Sequence, residues 1–193
     1  MKTYPFSALF SRMKYITRWS LMRSTRAESL SEHTADTAML AHTLCLIGKS
    51  CTGTGAALRP EVVATAALYH DAPEILTGDM PTPIKYYNPD IKTAYKEVER
   101  IAGNRLLDML PAELRSSYTH YVLEDDAELE PFVKAADKLS AHIKCLEEQK
   151  AGNTEFDSAS QQTLDALRAM NRPELEWFLD NCLQAFTLNL DQL

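Results

Sequence analysis

No stretch of the 193-residue chain carries the roughly 18 consecutive apolar residues that a membrane-spanning helix needs. Arg12, Lys14 and Arg18 interrupt any signal-like apolar core near the N-terminus, so the protein is expected to be cytoplasmic and to have no membrane partner. No CxxC pair occurs. Cys45, Cys51, Cys145 and Cys182 are scattered, which speaks against a zinc ribbon and a dense disulfide framework and predicts free thiols. Positive charge is in deficit: 20 Lys and Arg against 27 Asp and Glu leave a formal net charge of −7. Without a general basic field a nucleic-acid polymer is not the expected partner, and a small ligand is. Internal repeats, low-complexity segments and long flexible linkers are also missing.

Alternation of apolar and polar residues, the mark of a half-buried strand, is missing as well, whereas helical spacing recurs along the chain. With 45% hydrophobic and 24% charged residues, residues 1–193 are expected to form one domain with a substantial core. The class is all-α, with seven or eight helices. Phe6, Leu9, Phe10 and Met13 predict a first helix, and 18–28 reads as a loop. Ser29 and Glu32 match a capping box, with Ser31 as the alternative cap, and put His33 in a first turn. His33, Thr37, Leu40, Leu44 and Ile47 then share a face. Pro60 starts the next helix, apolar almost all round through Leu68 and therefore central; Pro73 stops its regular continuation just after His70-Asp71. Gly78 to Pro83 is a turn-rich loop suited to lining a substrate. Asn88-Pro89 opens a long helix whose stripe is Ile91, Tyr95, Val98 and Ile101, and Pro111 a shorter one. Asp126 is expected to cap a helix reaching Lys150, with Asp137 in its middle; helices over 155–170 and 173–186 follow.

Four residues stand where a helix prefers apolar or small ones: His33, His70, Asp71 and Asp137. Two imidazoles and two carboxylates make a mixed nitrogen and oxygen shell suited to one divalent cation, Mn²⁺, Co²⁺, Fe²⁺, Zn²⁺ or Mg²⁺, and such a metal usually serves hydrolysis. Asp71, at a helix C-terminus where the dipole disfavours a carboxylate, gains from a cation. The bland alternatives are structural histidines and an ion pair from Asp137 to Lys134, Lys138 or Lys144. His42, His120 and His142 lack ligand-like partners and read as structural. Glu124, Asp125, Asp126, Glu128 and Glu130 read as a solvated acidic surface, Glu97, Glu99 and Arg100 as exposed helix, and Cys145 and Cys182 as packing residues.

The order His33, His70-Asp71, Asp137 resembles the metal-dependent phosphohydrolases of the HD superfamily. Arg18-Trp19, Ser31-Glu32-His33, Tyr69 to Glu74 (YHDAPE) and Leu76 to Tyr86 (LTGDMPTPIKY) are more narrowly similar to the bacterial 5′-deoxynucleotidases of the YfbR type, nearly end to end. The resemblance implies an HD-domain helical bundle, hydrolysis of deoxyribonucleoside 5′-monophosphates, one divalent cation and a homodimer, for which Leu175, Trp177, Phe178 and Leu179 offer an apolar face. It also implies a substrate site of Arg18, Trp19, His33, Asp71, Asp79, Met80, Pro81, Thr82 and Lys85. Arg18 is suited to grip the phosphate and Trp19 to press against sugar or base, excluding a 2′-hydroxyl. Glu74 is the candidate proton carrier, as general base for water or acid for the leaving 5′-oxygen. Lys85 either assists with phosphate charge or is a solvated lysine. The competing expectations are an HD-type phosphodiesterase or pyrophosphohydrolase, a dinuclear oxygenase, which needs histidines soon after Asp71 that the chain lacks, and a catalytically silent nucleotide-binding protein.

Overall fold

A computed structural model describes residues 3–85 and 87–193; Tyr86, the last residue of the proline-rich motif, lies outside the described residues. The helices are α1 (Phe6–Phe10), α2 (Leu30–Ile47), α3 (Pro60–Tyr69), α4 (Glu74–Thr77), α5 (Thr82–Lys85), α6 (Pro89–Asp108), α7 (Ala112–Val122), α8 (Glu130–Lys150), α9 (Asp157–Ala169) and α10 (Pro173–Asn181). Among the described residues the only β-pairing is an isolated bridge between Thr17 and Ser29, so the protein is all-α. The long helices are those expected; α4 and α5 are single turns within the proline-rich stretch after Asp71.

Local chemistry explains the starts. The Ser29 side chain accepts from the Glu32 amide at 3.2 Å and Glu32 returns the contact to the Ser29 amide at 2.8 Å, so Ser29, not Ser31, is the cap. Asn88 Oδ1 accepts from the Ile91 amide at 2.8 Å with Pro89 at the first helical position. Asp126 behaves differently from expectation. Its carboxylate accepts from the amides of Glu128 and Leu129, closing a turn, and α8 begins only at Glu130-Pro131. The last expected helix is likewise shorter, because the chain tightens into a 3₁₀ turn over Leu183–Thr187.

α2, α3 and α8 pack against one another, with α9 against α8 and α10 against α2. Leu44, Val63, Leu139, Leu167, Leu175 and Phe178 fill this core. Ala38, Ala41, Ala66, Ala67, Ala135 and Ala136 are buried among them; such small residues let helix backbones approach until polar side chains on different helices meet. A second cluster, Phe6, Ala72, Leu106, Leu107, Leu110 and Val122, joins α1, α6 and α7 beside the turn that follows α3.

Three expectations need correction. α3 is not buried all round, since Leu68 is 44% exposed. On α6, Val98 and Ile101 face solvent and the core takes Tyr95, Ala102, Leu106 and Leu107 instead. On α10, Leu175, Phe178 and Leu179 point into the core; only Trp177 of the expected dimer face is exposed. The four cysteines are free, as expected. No helix of the described residues is long and apolar enough to cross a membrane.

The loop over 18–28 is nailed to the C-terminal half of α8. Glu148, 1% exposed, accepts from the Thr25 amide and hydroxyl at 2.8 Å, from Asn153 at 2.8 Å and from Lys144 at 2.5 Å, while Lys144 also donates to the Arg26 carbonyl at 2.7 Å. Burial opposes the charge, but these donors hold the Glu148 carboxyl far below the ordinary range. Glu148→Ala strands the Lys144 ammonium and is expected to cost about 3 kcal/mol or more in denaturant unfolding. Because the folded pKa is depressed, the wild-type contribution is full above the unfolded value near 4.3 and is lost as pH falls below it; the variant is expected to lack that acid-side slope.

Candidate metal centre

His33 enters from the first turn of α2, wholly buried, and His70 follows α3 at 6% exposure. His33 Nε2 lies 3.5 Å from Asp71 Oδ2 and 3.1 Å from Asp137 Oδ1; His70 Nε2 lies 3.2 Å and 3.9 Å from the same two oxygens. Two donors each about 2.1 Å from a shared cation stand about 3 Å apart, so these spacings suit one ion. His70 Nδ1 is 2.7 Å from the Ala67 carbonyl, which can only accept, so Nδ1 carries a hydrogen and Nε2 is turned to the cluster. His33 Nδ1 is 3.2 Å from Ser140 Oγ. His33 Nε2, His70 Nε2 and Asp71 Oδ2 are buried with no hydrogen-bond partner. Orphaned donors facing one another are what a cation would satisfy. His33, His70 and Asp71 can therefore hold a metal, with Asp137 at the same place.

Asp137 departs from expectation in being 37% exposed, so its carboxylate is not sealed in the core. Two lysines offered as its partners are engaged elsewhere, Lys134 with Glu130 and Lys144 with Glu148.

The carboxylates and the His70 imidazole shift one another. Burial disfavours the His70 imidazolium, yet Asp71 and Asp137 outweigh it and raise its pKa well above the usual value. Burial likewise pushes Asp71 and Asp137 up, but the imidazoles win: Asp71 falls to about 2 and Asp137 well below its ordinary value. The cluster attracts positive charge.

Beside it lie most of the other sequence-predicted residues. Arg18 Nη1 is 3.7 Å from Asp71 Oδ2 and 4.0 Å from Asp79 Oδ1. Burial lowers the Arg18 pKa, but the surrounding carboxylates, Asp71 foremost, raise it further, so the guanidinium stays charged. Gly78, at φ +76°, turns the chain between α4 and Asp79 in a backbone conformation glycine adopts freely. Glu74 is 5% exposed with Oε2 unpartnered, and burial together with Asp71 and Asp79 pushes its carboxyl up to about 9. Met80 and Pro81 are half-buried, and Thr82 is exposed at the start of α5. Lys85 is neither solvated nor free: it donates to Glu99 at 2.7 Å and lies over the Tyr95 ring at 5.0 Å. Glu99 is thereby also more than exposed helix.

Trp19 holds φ +59°, a region that costs a bulky residue about 1–3 kcal/mol and persists only where its surroundings enforce it. Its ring stands 5.3 Å from that of Phe156 and its Nε1 donates to Glu28 at 2.8 Å. Glu28 and Ser140 escaped the sequence reading. Ser140 had a signal, three residues after Asp137 on the same helical face; Glu28, one residue before the capping box, had none.

An all-helical bundle that brings His33, His70, Asp71 and Asp137 together has the architecture of the HD-domain phosphohydrolases. It superposes on an HD-domain phosphohydrolase from Listeria innocua with TM-score 0.76 at 20% identity, covering 96% of this chain and 89% of that one. The cyanophage S-2L HD phosphohydrolase, determined bound to dA and one catalytic Zn²⁺ ion, gives 0.66 at 16% identity over 93% and 96%. Those two likenesses concern the fold. Sequence narrows the class: the YfbR-like 5′-deoxynucleotidase family model matches residues 5–186, and the chain belongs to that family. A 5′-deoxynucleotidase of Erwinia tasmaniensis is 46% identical over 97% of this chain and 95% of its own length, and one of Vibrio atlanticus 44% identical over 100% of both.

Proposed function

We propose that the protein is a metal-dependent 5′-deoxynucleotidase that hydrolyses deoxyribonucleoside 5′-monophosphates to deoxyribonucleoside and inorganic phosphate. The observation that carries this reading is the guanidinium of Arg18 at 3.7 Å from Asp71, which sets a phosphate grip at the edge of the orphaned donor cluster. His33, His70, Asp71 and Asp137 would hold one divalent cation, Co²⁺, Mn²⁺, Zn²⁺, Fe²⁺ or Mg²⁺. When bound, the cation supplies Lewis acidity for a phosphoryl oxygen and for water. Arg18 binds and orients the phosphate through its remaining donors, with His33 and Asp71 at the same end of the substrate. Glu74, whose carboxyl is pushed up by burial and by Asp71 and Asp79, donates a proton to the leaving 5′-oxygen. Asp79 accepts from the sugar hydroxyl, with Met80, Pro81 and Thr82 following along the substrate. Lys85, held by Glu99, acts through its charge on Glu74 and leaves the phosphate to Arg18.

In this reading the whole chain works as one domain, in the cytoplasm and as a homodimer, with a small molecule as its partner; the net charge of −7 suits neither a nucleic-acid polymer nor an anionic membrane surface. The deciding assay strips the purified protein of metal, resupplies each divalent ion singly, and measures phosphate release from deoxy- and ribonucleoside monophosphates and from a diester. Release from the diester alone would overturn the assignment. Trp19→Ala is expected to bring the deoxy and ribo rates within about threefold of each other, since the wall excluding a 2′-hydroxyl is gone. Unchanged discrimination would take Trp19 out of the explanation.

A further inference from the structure

We infer that Glu28 is a positioning residue that sets both the phosphate grip and the choice of sugar through a single carboxylate oxygen. Glu28 Oε2 accepts from Arg18 Nε at 3.3 Å and from Trp19 Nε1 at 2.8 Å. Its side chain is 11% exposed, so neither contact is readily replaced by water. The backbone reinforces the side chain: the Arg18 amide donates to the Glu28 carbonyl at 3.0 Å, the Leu30 amide to the Ile16 carbonyl at 2.8 Å, and Thr17 bridges Ser29. The two ends of the 18–28 loop are thus tied together, and the tie ends on the two side chains assigned to the substrate.

The clamp has one arm for each neighbour. Arg18 is pulled on its far side by Asp71 and Asp79, at 3.7 and 4.0 Å from Nη1. Occupying Nε with Glu28 fixes the plane of the guanidinium and stops it collapsing onto the metal-holding carboxylate. Trp19 is flanked by Phe156 on one side but has a single polar anchor, Glu28, for the indole N–H. Losing that anchor lets the ring swing in χ space while its backbone stays at positive φ. The loop is separately anchored at Glu148, so removing the Glu28 side chain is expected to disturb these two side chains and leave the loop backbone in place.

The inference rests on the deoxynucleotidase reading for its catalytic consequences, and its test has one readout that does not. The chain holds two tryptophans, and Trp177 is on the surface of α10. In a Trp177→Phe background, acrylamide quenching of fluorescence reports Trp19 alone, without substrate. Glu28→Gln keeps an oxygen for the indole N–H and removes the charge; Glu28→Ala removes both. Glu28→Gln is expected to leave quenching and the deoxy-to-ribo ratio unchanged while KM for the deoxynucleotide rises about tenfold with kcat changed little, the size of one charge-assisted contact. Glu28→Ala is expected to raise the quenching constant about twofold or more and to lower the deoxy-to-ribo ratio about tenfold as well. Unchanged KM in Glu28→Gln overturns the Arg18 arm, and unchanged quenching in Glu28→Ala the Trp19 arm. If the alanine variant does not fold, the KM of the near-isosteric glutamine variant decides alone. A wild-type protein inactive on deoxynucleotides sinks the substrate assignment, while quenching still decides whether Glu28 holds Trp19.

Discussion

Asp137→Ala is expected to lose both bound metal and turnover, the latter by about a thousandfold or more, since a Lewis acid at the reacting phosphoryl group is worth several kcal/mol. Asp137 Oδ1 stands 3.1 Å from His33 Nε2, and its loss leaves one carboxylate, Asp71, to balance a dication among buried imidazoles. Asp137→Asn separates charge from shape and is expected to fall nearly as far. Elemental analysis of the dialysed protein beside single-turnover phosphate release is the measurement. Full activity in Asp137→Ala would break the four-residue site. The protonation of the cluster adds a pH dependence. Asp71 and Asp137 raise the His70 pKa, so protons compete with a cation for the ring, and apparent metal affinity is expected to weaken as pH falls.

Glu74→Ala should do the opposite with respect to metal: content unchanged, kcat lower by about 10²- to 10⁴-fold, the usual range for a positioned proton donor. Its Oε2 is buried and unpartnered, three residues past Asp71. Burial, then Asp71 and Asp79, push the carboxyl up to about 9, and a cation bound at the cluster would draw it back down. If the active form is the protonated one, wild-type kcat is expected to decline as pH rises through the lower pKa that Glu74 has beside a bound cation. Residual turnover in the alanine variant should lack the decline. A variant that lost its metal would make Glu74 a ligand and would leave the proton unassigned.

Much of the helical order was legible because the signals are local. The Ser29/Glu32 box and Asn88 complete their capping hydrogen bonds within one turn, and Pro60 presets φ where no amide donor is needed, so a few adjacent residues specify the outcome. The grouping of His33, His70 and Asp71 was legible for another reason: such polar groups are expensive to bury without a shared purpose. What stayed hidden was set by partners far along the chain. Two apolar stripes run along α6, and only packing against α1 and α7 decides that Leu106 and Leu107 go inward while Val98 and Ile101 do not. α10 misled similarly, since an apolar face suits a core as well as a partner. Lys85 meets Glu99 across 14 residues, and Thr25 meets Glu148 across 123, distances over which periodicity carries no information.

α8 carries Asp137 beside His33 Nε2, Ser140 behind His33, and Lys144 and Glu148 beneath the 18–28 loop. At about 100° and 1.5 Å per residue these four fall on one face along about 16 Å of rigid helix. The helix is in effect a ruler whose two marks are the His33 cluster and the loop bearing Arg18 and Trp19. One residue inserted between Ser140 and Lys144 would turn one mark away from the other by about 100°, so this stretch of α8 can vary in composition but not in length.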